Sequence, residues 1–66
     1  MSDAETTAML NLVADKSVRQ RDVAELYCAY VFSETELDWP VVNRAIMERW
    51  SEAGLMRIKR MVWGKA

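Results

Sequence analysis

Histidine is absent from this 66-residue chain, and cysteine occurs once, at Cys28. A structural zinc site takes four Cys or His ligands, so none can be assembled. Acid–base catalysis would need a strongly perturbed carboxylate or lysine, because no side chain here has an ordinary pKa near neutrality. Ser17, Ser33 and Ser51 have no neighbouring base signature. The only glycines, Gly54 and Gly64, exclude a glycine-rich phosphate loop. The chain is therefore expected to be no enzyme, with no catalytic residue, metal or cofactor. A lone thiol also excludes a disulfide scaffold and points to a reducing compartment. Cys28 sits in the most apolar run of the sequence, where burial suppresses thiol reactivity, so an inert core role is expected. No apolar run reaches the roughly 18 residues of a membrane span, and the amino terminus is acidic and mixed rather than basic and then greasy. These features predict a soluble intracellular protein, cytoplasmic or nuclear, or nucleoid-associated if bacterial.

What the chain does have is apolar bulk. Hydrophobic residues make up 52% of it, with three Trp, two Tyr and one Phe, a large load for a single domain over residues 1–66. A chain of this size buries only about 60% of the surface it exposes when unfolded, so part of that load is expected to face another molecule. Charge is split. Residues 1–38 carry three basic side chains against eight acidic, a balance of −5, whereas residues 39–66 carry six against two, a balance of +4. The basic half offers a footprint for nucleic acid, or the two halves attract each other within or between chains.

Ser2 and Glu5 have capping-box spacing, and Ala8, Met9, Leu12 and Val13 follow at three- and four-residue steps, which predicts a helix over about 3–15. Ser17 to Gln20 repeats the box. Val23, Leu26, Tyr27, Tyr30 and Val31 then predict a second helix over about 18–32. Its apolar end, 26–32, also fits a buried strand, but continuity with the stripe upstream favours helix. Beyond an acidic connector, Ser33–Asp38, Asp38 is the candidate N-cap and Pro40 lies in the first turn of a third helix over about 39–53. Val42, Ala45, Ile46, Trp50 and Ala53 form its apolar face. Gly54 has the position of a left-handed helix stop, with Leu55 folding back. Residues 55–63 alternate apolar and basic side chains as a strand would, or align Leu55, Ile58 and Val62 as a helix. The glycine stop and the Ile, Val and Trp content favour a C-terminal β-strand.

The run Trp50-Ser51-Glu52-Ala53-Gly54-Leu55-Met56-Arg57-Ile58-Lys59-Arg60 resembles the end of a recognition helix and first wing strand of winged helix-turn-helix DNA-binding regulators, and Val42-Asn43-Arg44 is similar to the opening of that helix. The resemblance, over about residues 42–63, implies a mainly α, three-helix, winged-helix-like domain. It further implies a transcriptional or phage- or plasmid-type regulator acting on duplex DNA as a homodimer. On that reading Asn43, Arg44, Met47 and Ser51 face the groove, while Arg57, Lys59, Arg60 and Lys65 lie near phosphates. The alternative is a protein-interaction module, such as an adaptor, inhibitor or assembly subunit, with Tyr30, Trp39, Met61 and Trp63 as the partner interface, since Trp and Tyr are enriched in interaction hot spots. For each residue the plain reading stays open: a solvated charge, or an aromatic that packs in the core.

Overall fold

The computed structural model describes residues 3–64. Three helices form: α1 (Asp3–Ala14), α2 (Gln20–Phe32) and α3 (Trp39–Trp63). The Ser2 capping box and Lys65 lie outside the described residues. The mainly α, three-helix expectation holds. The C-terminal strand does not, and the wing expected of a winged-helix-like domain goes with it, because 55–63 is helix and no strand forms among the described residues.

Strand content misled because it is local, whereas the core selects a helical stripe. Leu55, Ile58 and Val62 are all buried, and they share one face at helical spacing. They close the core with Met9 and Val13 of α1, Val23, Ala24 and Tyr27 of α2, and Val42 and Ile46 earlier in α3.

Helix α3 is bent. On an unbroken helix at 3.6 residues per turn, Val42 and Ile46 would lie nearly opposite Leu55, Ile58 and Val62, so one straight rod could not bury both sets. A straight 25-residue helix would also run about 37 Å at 1.5 Å per residue, beyond the 28 Å maximum extent of the molecule. The break falls at Ser51, at φ 67° and ψ 177°. That conformation is nearly confined to glycine and costs about 1–3 kcal/mol elsewhere. Gly54 is therefore not the left-handed stop. It is buried and has no positive φ; a Cβ built on it would overlap the Cβ of Trp50, so its role is to let the two arms of α3 approach.

One further cap differs from expectation. Ser17 does not cap α2. Its amide and hydroxyl donate to Asp15 Oδ1 at 2.9 and 2.7 Å, holding a turn, and this pair pulls the Asp15 carboxyl below its ordinary 3.8. Arg19 takes the cap position, its amide donating to Asp22 Oδ2 at 3.1 Å. At the other end of α2, Glu34 has φ 58°, its amide bonds the Val31 carbonyl, and the Thr35 amide bonds the Tyr30 carbonyl. This is a Schellman stop with glutamate where glycine is usual. At the start of α3, Asp38 holds the N-cap position and Pro40 lies in the first turn, as expected, but the Asp38 side chain makes no capping hydrogen bond.

Candidate functional site: an aromatic groove and an arginine groove

Two grooves lie along α2 and the second arm of α3, residues 52–63. The first is aromatic. Tyr27, buried at its base, is fixed by donating its hydroxyl to Asn43 Oδ1 at 3.0 Å. The Trp39 ring packs on it at 4.6 Å between centroids and the Trp63 ring meets it edge-on at 6.1 Å. Burial pushes the Tyr27 hydroxyl above its ordinary 10.0, with the Asn43 hydrogen bond acting the other way. Tyr30, Val31 and Leu37 continue the wall, and the exposed carboxylates of Glu34, Glu36 and Asp38 form the rim of a cavity of about 730 Å³. The Asp38 amide donates to Thr6 Oγ1 at 3.1 Å and ties this rim to α1.

Three of the four residues expected at a partner interface, Tyr30, Trp39 and Trp63, thus converge on one groove, with Trp63 47% exposed. Met61 does not join them and lines the second groove instead. Sequence reasoning missed Tyr27 as the base of the site, because its apolar spacing marks it only as core. It also read Glu34 and Glu36 as plain connector.

The second groove, about 800 Å³, runs between Arg21, Glu25 and Cys28 of α2 and Arg57, Arg60 and Met61 of α3. Arg57 Nη1 donates to Gln20 Oε1 at 3.4 Å. Cys28 is half-buried against this groove and the core. Arg21 was hidden from the sequence reading by the acidic balance of its half.

Two of the residues expected to bind DNA share a groove. Arg57 and Arg60 line the arginine groove, while Arg44 and Met47 are exposed on the first arm, beyond the kink at the exposed Ser51. Lys59 is exposed on the second arm. Asn43 is half-buried with its carbonyl oxygen taken by Tyr27, so it positions that ring. Arg49, counted in the basic half, is a staple: its guanidinium donates to the carbonyls of Val13, Lys16 and Val18 at 2.9, 3.1 and 2.7 Å and stacks 4.2 Å over Trp50.

Among the described residues no group of three potential ligands converges as a metal site, and no helix is long and apolar enough to cross a membrane. The architecture is a three-helix bundle whose third helix is kinked at Ser51. No family model, curated protein or solved structure matches the chain.

Proposed function

We propose that this protein is a protein-interaction module, an adaptor, inhibitor or assembly subunit, that docks a partner in the aromatic groove. The observation that carries this reading is the convergence of Tyr27, Tyr30, Trp39 and Trp63 from three parts of the chain around one open cavity. Aromatic side chains supply large contact area for two rotatable bonds each, and these rings are already held by mutual packing and by Asn43. Glu34 adds support. A non-glycine residue at positive φ is costly, and strained backbone tends to cluster at functional sites. The test is affinity capture from the source cell in high salt, with wild type and Tyr30→Ala side by side. The module reading expects a complex that survives salt and is lost in the variant. Partners retained equally by both proteins would contradict it.

A second reading, duplex DNA binding by a dimeric regulator, draws on the arginine groove, since the wing strand of the winged helix-turn-helix resemblance is helix here. Its strongest support is the grouping of Arg21 with Arg57 and Arg60. It predicts a mobility shift on duplex DNA that weakens steeply with salt, and a logarithmic salt slope that falls by about 0.9 for each phosphate contact removed, as in Arg57→Ala. No shift on any duplex at low salt removes this reading.

A further inference from the structure

We propose that the occupant of the aromatic groove is a second copy of this chain, whose Arg57 and Arg60 meet the acidic rim of the first. The proposal rests on the groove reading above and names its partner. A surface that is both aromatic and rimmed by Glu34, Glu36 and Asp38 calls for an occupant that is both apolar and cationic. Guanidinium suits both demands, since it stacks on aromatic faces and forks onto carboxylates. The chain itself presents such a surface on the neighbouring groove, where Arg57 and Arg60 flank Met61. The charge split of −5 over residues 1–38 and +4 over residues 39–66 is the same complementarity seen at the level of the sequence.

The arrangement also suits closure. Trp63 lies on the aromatic groove and Arg60, one turn earlier on the same arm, lies on the arginine groove. Two copies related by a two-fold axis near Trp63 would each offer arginines to the other's carboxylates, and the contact would stop at two because it is used up on both sides. It would also cover Trp63, which is 47% exposed in the single chain. The bundle would thereby gain apolar burial that 66 residues alone supply sparingly.

The test is the molar mass in solution from micromolar to millimolar protein, at low and high salt, for wild type and two charge-reversed proteins. One carries Glu34→Lys with Glu36→Lys and the other Arg57→Glu with Arg60→Glu. All four positions are exposed, and circular dichroism verifies that each variant folds. Wild type should approach twice the chain mass, more readily at low salt. Each reversed protein alone should weaken the association by about tenfold or more through like-charge contact. Mixed in equal amounts, the two should regain it, because both acid–base contacts are restored with their signs exchanged.

A dimer that persists in both reversed proteins but is lost in Tyr30→Ala would overturn the arginine pairing and leave the groove reading intact. A dimer indifferent to all of these changes would overturn both. A monomer under every condition would overturn the second copy. In that case a peptide of alternating lysine and leucine, titrated into isotopically labelled protein, judges the groove itself. Shifts of the Trp39 and Trp63 indole signals would uphold the groove reading, and unmoved signals would end it.

Discussion

The two sides of the second arm of α3 differ in how much of their binding geometry is already set. On one side, Trp39 and Trp63 pack on a tyrosine whose hydroxyl is anchored 3.0 Å from Asn43. On the other, three arginines stand on long stems, and the one hydrogen bond from Arg57 to Gln20 is 3.4 Å long. Binding on the first side would immobilise little that is not already fixed. Binding on the second would order side chains that each lose about 0.5–1.5 kcal/mol of freedom. Concavity alone therefore does not rank the two surfaces, since both cavities are of similar volume, about 730 and about 800 Å³. The difference lies in preorganisation, and it favours the aromatic side for specificity and the arginine side for electrostatic attraction.

The most damaging way to break the comparison is to remove the support that both sides share. Ile58 is fully buried on the core side of the arm that carries both grooves. Ile58→Ala should cost about 2–5 kcal/mol, enough to unfold much of so small a domain, and thermal melting with chemical denaturation measures it. A loss well under this range would mean that the arm is not packed as described. Next in size is the aromatic wall. Tyr30→Ala should weaken docking by about 2 kcal/mol, or roughly 30-fold, the size of a hot-spot loss, whereas Arg57→Ala on the neighbouring groove should act mainly on salt-sensitive binding. Calorimetric titration, paired with melting curves to isolate any stability effect, separates the two.

A smaller change sharpens the contrast further. Glu34→Gly relieves a positive φ of 58° and should raise stability by about 1 kcal/mol, while removing one carboxylate from the rim should weaken docking of a cationic surface. Stability and binding would then move in opposite directions. If both rose together, the rim charge would have no part in docking. The smallest effect is a titration. Because burial raises the Tyr27 hydroxyl above its ordinary 10.0, the folded state favours the neutral phenol. The stability it contributes is complete below pH 10 and is lost as pH rises through the raised value. Tyr27 tyrosinate absorbance should therefore appear only above the ordinary tyrosine range, and melting temperature should begin to fall as pH passes 10.

The helices were legible in the sequence because their apolar spacing is strong. Met9 with Val13, Val23 with Tyr27, and Val42 with Ile46 all reach the core. The aromatic interface was partly legible, through the surplus of Trp and Tyr over what so small an interior absorbs. What failed was reading residues 55–63 as strand and Gly54 as a stop. Local content of Ile, Val and Trp is a weak guide where tertiary packing decides. A better signal was present in the phase of the stripes. Val42 and Ile46 point away from Leu55, Ile58 and Val62 on any continuous helix, which requires either a break or a change of element between them, and only the packed core distinguishes the two. The charge reading failed for a different reason. Summing over halves hides Arg21 in an acidic segment and counts Arg49 as free, although three backbone carbonyls hold it.

The three tryptophans allow the most direct test of the central claim, because two lie at the aromatic groove and the third, Trp50, lies at the kink beneath Arg49. The measurement is the indole N–H region of the nitrogen–proton correlation spectrum, followed from micromolar to millimolar protein. The account predicts that the Trp39 and Trp63 signals move together with concentration, accompanied by the amides of Arg57 and Arg60, while the Trp50 signal stays in place. Stationary Trp39 and Trp63 signals across the whole range, with the mass of a single chain, would contradict it.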